Sequence, residues 1–277
     1  MNRKTFFLLF PLLIGPAMVY FAPAQTSLRE VYKVAGKDSL ALEIYSPDGN
    51  DSPKPAMVFF FGGGWNQGSI EQFRPHAEHF VQKGLITVLV DYRVRGRQQT
   101  SPFDALEDAK SAIRYLKLHA ERLAIDSSKI IASGGSAGGH LAAATALISG
   151  FNGKEHSEIS TQPAALVLFN PVIDNGPGGY GYERIGAQYQ DFSPLHNLSE
   201  GAPPTLFFLG TNDHLIPVVT AQYYTMVMKK VGSYCELILY EGEGHGFFNV
   251  RNKEIYLQTL EETEAFLQKT GLMPMAN

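Results

Sequence analysis

Short runs that are almost wholly apolar alternate along the chain with longer stretches in which apolar residues return every three or four positions. The runs "PAMVFFF", "LITVLV" and "TLFFLG" lack polar alternation, as expected for strands covered on both faces. Together with less pure neighbours they predict eight strands, at 29–34, 40–46, 56–61, 86–91, 129–133, 165–169, 205–209 and 235–240. Between two of these, "DALEDAKSAIRYLKLHA" sets Ala105, Leu106, Ala109, Ala112, Ile113 and Leu116 on one helical stripe. Further helices are expected at 71–83, ending at Gly84; 137–149, ending at Gly150; 218–231; and 254–270, ending at Gly271. Each of those glycines stands where a helix C terminus accepts a left-handed residue. The alternation predicts a single α/β domain over residues 25–277, with a mainly parallel twisted sheet and helices on both faces. Two stretches are richer in loop residues, 93–102 and 171–204; the second contains "NGPGGYGY" and is the candidate lid insertion.

Residues 1–24 break the pattern. Asn2, Arg3 and Lys4 give a positive start, an apolar run extends from Phe6 to about Tyr20, and Ala22-Pro23-Ala24 offers small residues before Gln25. This is the form of a secretory signal peptide, which predicts a secreted or periplasmic protein with no stable membrane insertion after cleavage. An uncleaved anchor is the alternative, but Pro11 and Pro16 interrupt a run already short of the ~20 apolar residues a span needs. The 277 residues, 44% hydrophobic and 18% charged, suit one large core rather than disorder. Loss of Arg3 and Lys4 takes the net charge from −4 to −6, which leaves no electrostatic case for nucleic acid. The single cysteine, Cys235, lies in the apolar "YCELILY" and is read as a small buried hydrophobe.

Candidate chemistry begins at "KIIASGGSAGGHLAAA", residues 129–144. A strand ends in "IIAS" and a helix begins in "AGGHLAAATAL", so Gly134-Gly135-Ser136-Ala137-Gly138 forms a G-x-S-x-G turn. A nucleophile on such a turn has a strained backbone, and only small residues two positions either side let the chain pass so closely. The spacing selects Ser136 over Ser133, which is taken as the last residue of its strand. Nucleotide sites fail on residue identity: neither glycine cluster completes G-x-G-x-x-G, and the run from Gly63 to Ser69 has no lysine before the serine.

A serine needs a base to take its proton. Of the eight histidines, His245 in "EGEGHGFFN" sits between glycines just after the last strand, on a loop free to bend over Ser136. His76 and His79 are expected on a helix facing solvent, and His119 at a helix end. His140 is expected to pack or hydrogen-bond in the helix after Ser136. His156, His196 and His214 are read as solvated or locally bonded. Two acids compete to orient the base: Asp213 in "LGTNDHLIP" and Asp174 in "NPVIDNG", each after a strand. The order Ser, Asp, His favours Asp213, and the loser is a turn-forming aspartate. The loop "FFFGGGWNQGS" brings backbone amides around Gly62, Gly63 and Gly64 within reach of a bound carbonyl, with the amide of Ala137 as the second contributor to an oxyanion hole.

With these motifs in view, the sequence resembles α/β-hydrolases of the hormone-sensitive-lipase-like and acetylxylan-esterase-like group. The resemblance lies in "GGGW" (62–65), "VDYR" (90–93), "DALEDAKSAIRYL" (104–116), "GGSAGGHLAA" (134–143), "GTNDHLIP" (210–217) and "GHGF" (244–247). It implies an α/β-hydrolase fold and a serine carboxylesterase, with Ser136, Asp213 and His245 as triad, Gly63, Gly64 and Ala137 as oxyanion donors, and no metal or cofactor. One departure is Phe61, where many relatives carry histidine before the glycines; it puts the loop's hydrogen bonding in question, not the reaction. "DYR" is expected to brace the sheet edge near the site.

Few residues separate Gln25 from the first strand, leaving no room for the N-terminal helical cap of many lipid-directed relatives. An open site suits a bulky alcohol such as a glycan. Trp65, Tyr180 and Tyr182, with Tyr189 and Phe192, offer flat surfaces for sugar rings; the alternative is that they pack the lid. The expected activity is removal of short acyl groups, acetyl above all, from carbohydrates such as acetylated xylan or its oligomers. A feruloyl or generic short-chain carboxylesterase is the neighbouring reading. A prolyl-oligopeptidase-type peptidase shares the triad order, but no propeller precedes the hydrolase here. A catalytically silent glycan-binding protein on this fold would be expected to lose a triad member, and this chain keeps all three.

Overall fold

The computed structural model describes residues 25–48, 52–153 and 156–274. The proposed signal segment, residues 1–24, lies outside them. Among the described residues eight strands form one sheet in the order β1-β2-β4-β3-β5-β6-β7-β8. They are β1 (Gln25–Ala35), β2 (Asp38–Pro47), β3 (Lys54–Phe60), β4 (Ile86–Val90), β5 (Ile125–Gly135), β6 (Ala165–Phe169), β7 (Thr205–Gly210) and β8 (Cys235–Tyr240). β1 and β2 pair antiparallel, as do β2 and β4, and every pairing from β4 to β8 is parallel. The wholly apolar runs are the central strands, and β4, β6 and β7 are buried at every position. Half-exposed β8 closes one edge.

The longer helices are α1 (Arg74–Gln82), α3 (Pro102–Leu118), α4 (Ala137–Leu147), α7 (Val218–Lys230) and α8 (Lys253–Lys269); α2 (Arg95–Gln98), α5 (Tyr182–Ile185) and α6 (Tyr189–Phe192) are single turns. From β3 the chain crosses through α1 to β4 in one direction along the sheet, and from β5 through α4 to β6 in the other. Right-handed crossovers running opposite ways place their helices on opposite faces. The reversal leaves a crevice outside the carboxyl ends of β3 and β5, the usual ligand position in an open α/β sheet. Among the described residues no helix is long and apolar enough to cross a membrane.

Several expected boundaries move for local reasons. The helix placed at 71–83 is a 3-10 turn at Ile70–Gln72 followed by α1, with Pro75 in the first turn where its missing N–H costs nothing. α3 starts at Pro102, three residues before its apolar stripe, because Ser101 caps it: the Asp104 amide donates to Ser101 Oγ at 3.3 Å and the Ser101 amide to Asp104 Oδ2 at 2.8 Å. β5 continues past Ser133 to Gly135, so Ser133 is inside the strand rather than its last residue. Gly84 and Gly271 are left-handed as expected, whereas Gly150 is not: α4 ends earlier, at an extended Ile148.

His76 corrects the expectation of a solvent-facing side chain. α1 meets the sheet on one side and α8 on another, so the ring is buried among Phe59, Phe73, Phe169, Phe248 and Tyr256, the last at 4.9 Å between ring centres. Burial pushes its pKa down to about 3, and neither ring nitrogen has a partner among the described residues. His79, by contrast, meets Glu264 at 2.6 Å. Cys235 is half-buried at the start of β8, and burial raises its thiol to about 11, in keeping with an unreactive apolar role.

Candidate active site

Ser136 lies between β5 and α4 with φ 54° and ψ −119°, a left-handed conformation that non-glycine residues rarely hold. Three main-chain hydrogen bonds hold it: its amide donates to Phe169 O at 2.9 Å, and its carbonyl accepts from His140 and Val172 at 3.0 and 3.1 Å. The flanking glycines are required by contact. A Cβ on Gly138 would lie 2.0 Å from Phe60 O, and one on Gly134 would lie 2.4 Å from the Gly138 backbone.

The loop after β8 carries His245 over this turn. Its Nε2 lies 2.9 Å from Ser136 Oγ and its Nδ1 2.8 Å from Asp213 Oδ2. Asp213 follows β7, and its other oxygen accepts from the amides of Leu215 and Ile216 at 2.8 and 3.0 Å. Burial opposes ionisation of Asp213, but the His245 hydrogen bond and these amides outweigh it and hold the carboxyl below its ordinary range. The carboxylate fixes the tautomer in which Nδ1 carries the proton and Nε2 faces the serine as acceptor. The structure therefore brings together Ser136, His245 and Asp213. It does not bring in Asp174, whose carboxylate caps its own turn by accepting from the Gly176 amide at 2.8 Å. His140, nearest to Ser136 in sequence, is buried with Nε2 2.9 Å from Phe192 O, and burial lowers its pKa to about 3.

The glycine loop after β3 forms the facing wall. Gly63 has φ 125°, and a Cβ there would collide with Gln67 O at 2.1 Å, so the tight turn needs glycine. Among the described residues the amides of Gly63 and Gly64 have no acceptor, and the amide of Ala137, first in α4, has none within its helix. These three point to an oxyanion site. Gly62 does not join them, because its amide donates to Gln72 Oε1 at 2.6 Å. Phe61, standing where a histidine was the common alternative, stacks on Tyr92 at 4.1 Å, and the Tyr92 hydroxyl donates to Phe61 O at 2.5 Å. "DYR" thus braces the glycine loop itself, with Arg97 clamping Asp91 and Arg93 clamping buried Asp108.

The cleft between these walls has a volume of about 690 Å³. Besides Ser136, His245 and the glycine loop, it is bordered by Asn66, Gln67, Arg95, Asn170, Tyr180 and Arg184. Trp65 is not in it. Its backbone turns the ring inward, where it is 1% exposed against His140, Phe192 and Tyr180, and the expectation of a sugar platform there is corrected to core packing. Tyr182 is also outside the cleft, at the surface beside Tyr189. Phe192 is buried, and of the aromatic candidates only Tyr180 lines the wall. The 171–204 segment is tied down over the glycine loop: Arg184 donates to Gly64 O at 2.5 Å and lies over the Trp65 and Tyr180 rings.

Three polar residues escaped the sequence reading. Gln72 bridges the Gly62 amide and Asn249 Oδ1, and Asn249 Nδ2 donates to Gly246 O at 2.7 Å, joining the glycine loop to the His245 loop. Asn170, directly after β6, accepts from the Gly246 amide at 3.1 Å. Its place just past an apolar strand was the only signal in the sequence; Gln72 and Asn249 gave none.

Residues 42–178 match the BD-FAE family model, and residues 179–270 match the dienelactone hydrolase family. Thermogutta terrifontis esterase 2, in its tabun-phosphoramylated form, is 41% identical, with a TM-score of 0.87 over 90% of this chain and 97% of that one. The butyrate-bound form gives 39% and 0.86 over 91% and 96%. A probable isoprenylcysteine α-carbonyl methylesterase of Arabidopsis thaliana is 27% identical over 86% of this chain, and an acetylxylan esterase of Xylanibacter ruminicola is 26% identical over 89%. The chain spans 55% and 51% of the lengths of those two relatives. Matching nearly the whole of a solved esterase at 41% identity and a TM-score of 0.87, the chain belongs to the α/β-hydrolase family of carboxylesterases.

Proposed function

We propose that the protein hydrolyses short acyl esters of polar alcohols, acetylated carbohydrates such as xylan or its oligomers foremost, and that it does so after export with residues 1–24 removed as a signal. In this reading Ser136 Oγ attacks the ester carbonyl while His245 Nε2 takes its proton. The amides of Gly63, Gly64 and Ala137 bind the oxyanion. His245 then protonates the departing alcohol, and water repeats the sequence on the acyl-enzyme, with buried Asp213 stabilising the imidazolium at 2.8 Å.

One observation carries the substrate reading: among the described residues, the border of the Ser136 cleft is built from amides, glycine backbone, Tyr180 and charged groups, with Leu215 and Phe248 its only aliphatic or phenyl side chains. Such a surface suits a hydroxylated alcohol and gives a long alkyl chain little apolar area. The similarity to an acetylxylan esterase, and to an esterase solved with butyrate, supports a short acyl group. The test is a panel of acetylated xylo-oligosaccharides, feruloylated sugars and p-nitrophenyl esters of increasing length. The expected outcome is highest kcat/KM on acetylated sugars and a fall with acyl length; highest kcat/KM on long acyl chains overturns the reading.

A further inference from the structure

Asn170 is buried beneath the cleft in a left-handed conformation (φ 35°), its backbone amide anchored to Phe208 O at 2.7 Å. Its Oδ1 accepts from the Gly246 amide at 3.1 Å, which fixes the direction of the side-chain amide. The Nδ2 end then lies 3.3 Å from His245 Nε2. In the tautomer set by Asp213, Nε2 has one lone pair, and the Ser136 hydroxyl at 2.9 Å is the nearer donor. Among the described residues Asn170 Nδ2 has no partner but His245 Nε2, so its N–H is aimed at the reacting corner and competes there with the nearer Ser136 hydroxyl. Once the proton moves to Nε2, two donors converge on the same space. An oxygen carrying developing negative charge satisfies both.

We infer that Asn170 Nδ2–H binds the oxygen that leaves in the first half of the reaction and attacks in the second, an inference that rests on the Ser136–His245 reading above. In acylation the Ser136 Oγ–carbon bond forms, the carbon–alkoxy bond breaks, and the serine proton passes through Nε2 to the alcohol oxygen. In deacylation the water oxygen–carbon bond forms, the carbon–Oγ bond breaks, and the water proton returns through Nε2 to Oγ. Asn170 donates to the same oxygen position in both halves, and no proton leaves its amide.

The two contacts of Asn170 separate cleanly. Asn170→Asp tolerates the left-handed backbone and keeps an oxygen for the Gly246 amide, but loses the donor; Asn170→Ala loses both. With p-nitrophenyl acetate, whose leaving anion needs no donor, acylation by Asn170→Asp, which keeps the Gly246 contact, slows far less than its deacylation, whereas Asn170→Ala, which also loses that contact, slows in both. Deacylation slows roughly 10- to 100-fold, the range for a hydrogen bond to a charge-bearing oxygen. A burst of p-nitrophenol and an acetyl adduct visible by mass spectrometry follow, and acylation by alkyl acetates slows in step. Asn170→Asp with wild-type deacylation, or with p-nitrophenyl acetate acylation lost to the same degree as deacylation, overturns the inference and leaves Asn170 an anchor for the His245 loop. Absence of turnover by the unaltered protein overturns the functional reading first, and this one with it.

Discussion

Replacing His76 with phenylalanine makes the protein more resistant to acid, by an amount the structure sets. The ring is 1% exposed among five aromatic side chains, and its two nitrogens have no partner among the described residues. Burial, with a smaller contribution from His79, lowers its pKa from 6.5 to about 3. Between those values the unfolded chain binds a proton that the fold refuses, so stability is full above pH 6.5 and declines as pH falls. At pH 5.0 the cost is about 2 kcal/mol, from 1.36 kcal/mol per pH unit over about 1.5 units. Phenylalanine cannot be protonated, and at pH 7.5 it removes the unpaired polar atoms at similar shape, a constant offset. His140, also held to about 3, contributes equally to both proteins and cancels. Denaturant unfolding at pH 7.5 and 5.0 should show the advantage of His76→Phe growing by about 2 kcal/mol, or about 4–8 °C in Tm. An advantage that does not change with pH refutes the argument, because it means the ring binds a proton as readily in the folded protein as in the unfolded chain.

Asp213→Asn keeps the shape of the acid but loses the tautomer control, and kcat should fall by about 10⁴-fold, while Asp174→Asn, confined to its turn, changes kcat less than about threefold. Gly138→Ala places a methyl 2.0 Å from Phe60 O, backbone that cannot swing away, and should cost more than about 3 kcal/mol in unfolding free energy or prevent soluble expression. Tyr92→Phe removes the hydroxyl that donates to Phe61 O at 2.5 Å; stability should drop by about 1–3 kcal/mol, and, on the proposed oxyanion role of the glycine loop it braces, kcat should fall more than KM rises.

Much of this was legible in one dimension. β6 and β8 begin and end where their apolar runs do, and the G-x-S-x-G, "TND" and "GHG" turns mark the Ser136, Asp213 and His245 positions because each is a local backbone requirement written in small or turn-forming residues. What failed depended on distant partners. The helical period gave His76 an outward face, but α8 returns from the end of the chain to cover it through Tyr256. Trp65 beside a glycine loop reads as an exposed aromatic, yet a positive φ of 55° turns it into the core against Phe192, a residue of the candidate lid. The Gln72–Asn249 and Asn170–Gly246 links join positions 177 and 76 residues apart, and nothing near either end announces the other.

The most direct test of the central claim is covalent labelling with a fluorophosphonate, mapped by peptide mass spectrometry. The aligned Ser136, His245 and Asp213, at 2.9 and 2.8 Å, predict one label per chain on the peptide containing Ser136, lost in Ser136→Ala and kept in Ser133→Ala. Label that persists in Ser136→Ala, or that maps to any other serine, contradicts the account.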